Sequence, residues 1–122
     1  MDLKHKKITE AIIGSAFEVY NILGYGFLEK VYQRAMQVEL LSRGHSAQLE
    51  HAIKVNFKGV VVGEYSADLF VDDKVIVELK VAKKYCSQDE PQLLNELKAT
   101  GIKVGILINF GREKVEFKRF IY

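Results

Sequence analysis

A mixed α+β fold, in which a central β-sheet is flanked by helices in the order α-α-β-β-β-α-β-β, is predicted by three observations. Apolar residues recur at a helical period over the first third of the chain, and they alternate at period two through the middle. A proline-led helical segment then separates an apolar strand-type run from a last alternating segment, the arrangement of a crossover between parallel neighbours.

The first predicted helix runs from Asp2 to Leu23, with Ile8, Ala11, Ile12, Ala16, Phe17, Val19, Tyr20 and Leu23 as its apolar set. Gly24 and Gly26 end it. The second runs from about Phe27 to Ser42 and buries Leu28, Val31, Tyr32, Ala35, Met36, Leu40 and Leu41, with Gly44 at its stop. Strands follow at 48–57, 60–71 and 75–82, with a turn at Lys58-Gly59 and a bulge or bend at Gly63. Ser87-Gln88-Asp89-Glu90 matches a capping box, and Pro91 falls in the first turn of the next helix, where its missing N–H costs least. Leu93, Leu94 and Leu97 form that helix's stripe and Gly101 its stop. The last two strands are expected at 103–110 and 114–121, joined through Gly111.

At 122 residues the chain is expected to form a single domain over 1–122, with 48% hydrophobic and 28% charged residues placing it in the ordinary globular range. No apolar run approaches membrane-span length and no signal-peptide pattern opens the sequence, so no membrane partner is expected. Cys86 is alone, which precludes an internal disulfide and fits a cytoplasmic location. The net charge of +2 demands no polyanionic partner, although residues 78–122 carry nine Lys or Arg against six Asp or Glu. His5, His45 and His51 lack zinc spacing, and Gly24-x-Gly26 follows no strand, so it is no dinucleotide loop.

The chemistry concentrates in the hairpin 65–80. If Val71 faces Val75 across a three-residue loop, Asp68 lies directly opposite Glu78. Ser66, Asp68 and Phe70 then share a face with Ile76, Glu78 and Lys80, while Tyr65, Ala67, Leu69 and Val71 share the other with Val75, Val77, Leu79 and Val81. Facing like charges are destabilising, so the pair points to a bound cation or a raised pKa. A solvated outer face, neutralised by Lys80, fits the same pattern. Glu29 and Tyr32 share one face of the second helix, so Tyr32 could hydrogen-bond a carboxylate near the site or simply fill the core.

These segments carry a resemblance. An acid on one strand, Glu-x-Lys on the next, then a helix and a further strand resembles the PD-(D/E)XK nuclease superfamily. Gly26-Phe27-Leu28-Glu29-Lys30-Val31-Tyr32 resembles the name motif of its GxxExxY proteins. Tyr65-Ser66-Ala67-Asp68-Leu69, Val77-Glu78-Leu79-Lys80, the helix segment 92–101, the strand segment 103–111 and Glu116-Phe117-Lys118-Arg119 are similar as well.

The resemblance implies a restriction-endonuclease-like core and Mg²⁺-dependent hydrolysis of DNA phosphodiesters, with Mn²⁺ able to substitute. It implies Asp68, Glu78 and the Leu79 carbonyl as metal ligands, Glu29 as an additional helix acid beside the metal, and Lys80 as the catalytic lysine. Gln92 matches a glutamine of the exonuclease-like branch; where that branch commonly has an aromatic residue four positions later this chain has Glu96, which fits a surface residue. Lys83, Lys84, Lys98, Arg112, Lys118 and Arg119 are candidate backbone contacts, and each also fits a solvated charge. A nuclease-fold module that binds nucleic acid or a protein partner without turnover is the alternative, and action on RNA or a nucleotide is a third reading. The small size leaves room for a homodimer.

Overall fold

The computed structural model describes residues 4–122. The elements are α1 (Lys6–Leu23), α2 (Glu29–Ser42), β1 (Ala47–Phe57), β2 (Val60–Val71), β3 (Val75–Lys80), a 3₁₀ turn (Ser87–Asp89), α3 (Glu90–Thr100), β4 (Val104–Phe110) and β5 (Val115–Ile121). The expected order holds; the part of the first predicted helix that includes Asp2 lies outside the described residues.

The sheet runs β1-β2-β3-β4-β5. Among the described residues only β3 and β4 are parallel, joined through the crossover that contains α3, as the long connection requires. Ile12, Ala16 and Val19 of α1 and Tyr32, Met36 and Leu40 of α2 pack on one face, against Leu69, Val71, Val75, Val77, Leu79, Val104, Ile106, Ile108 and Phe110. Leu93 and Leu97 of α3 cover the other face, over Ile53, Ala67, Phe70, Ile76 and Leu107. β3 and β4 therefore sit between two apolar layers, which is why both read as nearly unbroken apolar runs.

The β2–β3 register is the expected one, with Val71 opposite Val75 and Leu69 opposite Val77. Asp72 and Asp73 both take left-handed backbone in the connecting loop, φ 52° and 56°, a conformation Asp tolerates better than most residues. Near Gly63 a bulge does form, where β1 changes register between Val55 and Asn56.

Several expectations need correction. Ala67 does not share a face with Leu69 but packs with Phe70 and Ile76 under α3. Between Leu49↔Leu69 and His51↔Ala67 the β1–β2 ladder skips Glu50 and Asp68, and Glu50 takes left-handed backbone, φ 52°, so alternation breaks at this step without a change of register. α2 starts at Glu29 rather than Phe27, and Leu28, Val31 and Leu41 are exposed while Gln33 is buried. Phe17 and Leu94 lie at the rims of their stripes, Phe17 edge-on to Phe117. The capping box does not form: a 3₁₀ turn precedes α3, and Glu90 instead accepts a hydrogen bond from Tyr85 Oη at 2.8 Å and pairs with Lys118 at 3.5 Å.

The loop between β2 and β3 is tied back to the end of α2. Ser46 N–H donates to Asp72 Oδ1 at 2.8 Å, and His45 Nδ1 meets Asp72 Oδ2 at 2.5 Å. Desolvation pushes the Asp72 carboxyl up, but the His45 and Ser46 contacts together outweigh it and hold the group below its ordinary 3.8. Its stabilising contribution is therefore complete above the unfolded value and is lost as pH falls through the lower folded value. Asp72→Asn, which keeps the tolerance for left-handed backbone, should cost about 1 kcal/mol at neutral pH. In urea melts the deficit should shrink steadily below the 3.8 range; a deficit independent of pH would show that the charge of Asp72 contributes nothing.

Candidate functional site

The ladder between β2 and β3 stops at Leu69 and Val77. One step further, Asp68 does not pair with Glu78 through the backbone. Its side chain turns across the gap instead, and Asp68 Oδ2 accepts the Leu79 N–H at 2.7 Å. The Asp68 carbonyl accepts from Gln33 Nε2 of α2 at 2.8 Å. Both polar ends of Asp68 are thus held by groups outside the strand ladder, and β2 and β3 part at this point. Because N–H and C=O of one residue leave a strand on the same side, the Leu79 carbonyl also turns toward this opening.

Glu78 enters from β3 on the α3 side and is 4% exposed. It meets Glu96 of α3, which is fully buried and not the surface residue expected from its departure at the aromatic position. Gln92 Nε2 donates to Glu96 Oε2 at 3.2 Å, one helical turn apart, so Gln92 reaches the cluster through Glu96. Among the described residues, Glu78 Oε1 and Glu96 Oε1 have no hydrogen-bond partner. Glu29 opens α2 and lies close enough to Asp68 for their carboxyls to interact. Lys80 ends β3 half-exposed and, among the described residues, makes no ion pair. Its charge still offsets part of the crowding, at Glu29 and at Glu96.

The electrostatics follow from burying like charges together. Burial, then the Asp68 charge, then contact with Glu96 push Glu78 up to about 10. Burial and Asp68 push Glu29 up to about 7, against the pull of Lys80. Burial also raises Glu96, against its hydrogen bonds to Glu78 and Gln92. The carboxylates meet in pairs: among the described residues no three His, Cys, Asp or Glu side chains form a ready-made metal cage. The donors are all oxygens, the set that suits a hard divalent cation.

Tyr32 is not among these groups. It is fully buried, stacked on Phe110 with ring centroids 4.4 Å apart, and its hydroxyl donates to the Gly24 carbonyl at 2.5 Å. Phe27 N–H donates to the same hydroxyl at 3.4 Å. Tyr32 therefore staples both ends of the loop that leads into Glu29, and Gly26, at φ 113°, supplies a backbone turn that side chains rarely adopt. Spacing alone did not reveal Gln33, the buried partner of the Asp68 carbonyl; a polar residue inside an apolar helical stripe was the available signal.

A family model described as the PD-(D/E)XK nuclease superfamily matches residues 6–120, and the chain belongs to that superfamily. Among solved structures, that of SSO0001 is similar with a TM-score of 0.56 at 16% identity, over 76% of this chain and 50% of that one. The chain thus matches about half the length of that protein, and the likeness bears on the fold. A comparison with curated proteins finds no match.

Pushed up to about 10, Glu78 is held protonated at neutral pH and must take up a proton on folding, a cost that a permanently neutral Gln avoids. Glu78→Gln should therefore raise stability in EDTA by about 1–3 kcal/mol. Thermal melts check this; a melting temperature below wild type would show that Glu78 is satisfied in the folded state.

Proposed function

We propose that this member of the PD-(D/E)XK nuclease superfamily hydrolyses DNA phosphodiester bonds with Mg²⁺, Mn²⁺ substituting, at the opening between β2 and β3. The observation that carries the proposal is the convergence of Asp68 and Glu78 across the split hairpin, with an orphaned Glu78 oxygen and an uncommitted Lys80 beside them. In this reading Asp68, Glu78 and the Leu79 carbonyl hold the ion, and Glu29 borders it. A divalent ion there would lower the pKa of a bound water and neutralise charge on the phosphate.

The chain's own groups have separable tasks. The Leu79 N–H keeps the Asp68 carboxylate aimed into the opening. Lys80, free of ion pairs among the described residues, can donate hydrogen bonds to a phosphate oxygen, where negative charge grows as water attacks phosphorus and the leaving oxygen departs. Glu96 and Gln92 brace Glu78 from α3, and Tyr32 fixes the loop that delivers Glu29. A Mg²⁺ ion that keeps several waters needs few protein ligands, so a site whose acids meet in pairs suffices.

The second reading is a nuclease-fold module that binds nucleic acid or a protein without turnover. What favours it is Glu96, a buried carboxylate that can share a proton with Glu78 and so leave less charge for a cation.

Asp68→Asn keeps an acceptor for the Leu79 N–H while removing the charge. Calorimetric titration with Mg²⁺ and with Mn²⁺ should give binding heat in the wild type that Asp68→Asn abolishes. Lys80→Ala should retain the heat but cleave single- and double-stranded DNA at least about a hundredfold more slowly. Equal heats in wild type and Asp68→Asn would exclude the ion site, and cleavage undiminished in Lys80→Ala would point to another active site. Metal binding without cleavage in the wild type would favour the module.

A further inference from the structure

Beyond the ends of β3 and β4, a cleft of about 390 Å³ is lined by Lys83, Lys84, Arg112, Glu113, Lys114 and Glu116. Its four cations and two acids account for the whole formal charge of +2, since the rest of the chain carries fourteen of each sign. Among the described residues none of the four cations makes an ion pair. Of the two acids, Glu116 is already engaged, its Oε1 accepting the Tyr85 N–H at 3.2 Å.

The walls of the cleft are built, not draped. Asn109 clamps Ala82 from both sides, accepting its N–H and donating to its carbonyl, each at 2.9 Å. Arg112 N–H donates to the Lys83 carbonyl at 3.0 Å, and Gly111 N–H to the Lys114 carbonyl at 3.1 Å. A Cβ on Gly111 would lie 2.8 Å from the Lys114 oxygen and 3.0 Å from the Lys83 oxygen, so the two loops close only around a glycine. The cleft also adjoins the acidic site. Lys83 follows Lys80 by three residues, a length of chain that spans at most about 11 Å.

We propose that this cleft binds phosphate groups of the nucleic-acid strand whose scissile bond lies at the acidic site. The inference rests on the nuclease reading and assigns a second, cationic subsite to it. Uncommitted cations around a rigid concavity, within a short reach of Lys80, suit a polyanionic chain leaving the acidic site. The phosphate could be an internal diester or a terminal monoester; both present the same oxygens to Lys84 and Arg112.

Fluorescence anisotropy tests this with 3′-labelled DNA oligonucleotides, single- and double-stranded, bearing either a 5′-phosphate or a 5′-hydroxyl. Ca²⁺ replaces Mg²⁺ in the buffer, and salt is varied. Lys84→Ala/Arg112→Ala is compared with wild type and with Lys74→Ala, an exposed cation on the β2–β3 loop at the opposite end of the sheet. The double variant, altered only at exposed side chains, should bind at least tenfold more weakly at low salt. Its log K against log[salt] slope should be shallower by about 1.4 for single strands. Lys74→Ala should match wild type. Equal losses for both 5′ ends assign the cleft to internal diesters, and a loss confined to the 5′-phosphate assigns it to the strand end. Wild-type affinity and slope in the double variant would overturn the cleft alone. A wild type that binds no oligonucleotide would overturn the cleft and the nucleic-acid reading together, while calorimetric metal binding would still report on the acidic site.

Discussion

The hydrogen bond from the Leu79 N–H to Asp68 Oδ2 is the contact on which the candidate site depends. In an uninterrupted hairpin that N–H would seek a backbone acceptor on β2, and the two strands would run on together. A carboxylate in the acceptor's place satisfies the donor and ends the ladder. The opening that results exposes the polar edge of β3 without leaving that donor orphaned, which would cost about 1–3 kcal/mol. The Gln33 side chain does the corresponding work for the Asp68 carbonyl and ties α2 to the same residue. The helix that carries Glu29 and the strand that carries Asp68 are therefore located by one shared residue.

Around that contact the fold tolerates what burial ordinarily forbids. Glu78 and Glu96 are buried together, each with one oxygen lacking a partner among the described residues. Such an arrangement persists only where the surroundings over-determine it. Here two apolar layers do so: Leu79 belongs to the layer under α1 and α2, while Leu93 and Leu97, which flank Glu96 on α3, belong to the other. Alternation along β3 anchors Leu79 in one layer and turns its neighbours Glu78 and Lys80 the other way. Strain of this kind, concentrated where a cation would relieve it, is the usual exchange of stability for function.

The sequence made legible whatever depends on local period. The three-residue loop, the Val71–Val75 pairing and the parallel β3–β4 neighbours follow from counting along strands, and so does the nearness of Asp68 to Glu78, although the backbone ladder stops one step short of that pair. What it hid depends on breaks in period or on distant partners. Ala67 changes face where the β1–β2 ladder skips Asp68 and its opposite number Glu50, a break that counting along one strand does not announce. Glu96 reads as a polar helix position, and only the placement of α3 over Glu78 buries it. Tyr32 shares a helical face with Glu29, yet its hydroxyl turns back to Gly24, across the loop that runs directly into the first turn of its own helix. Gly26, Glu29 and Tyr32 thus form one device in which only Glu29 reaches the carboxylates.

Charge is segregated at one end of the parallel pair. Glu78 and Lys80 end β3, and the cationic cleft begins three residues beyond, where Asn109 clamps the chain leaving β3 to the end of β4. The carboxyl ends of parallel strands are where open sheets bind ligands, because the connecting loops diverge there and leave a concavity. A near-neutral total hides this arrangement. The same four cations scattered over the surface would give the same net charge and no local field, whereas a rigid cleft holds them together and focuses their potential. In the proposed reading, the acidic site and the cationic cleft solve different parts of one problem. Carboxylates alone repel a phosphodiester, so an oxygen-lined cation site acts on a strand only if other charges hold that strand against it.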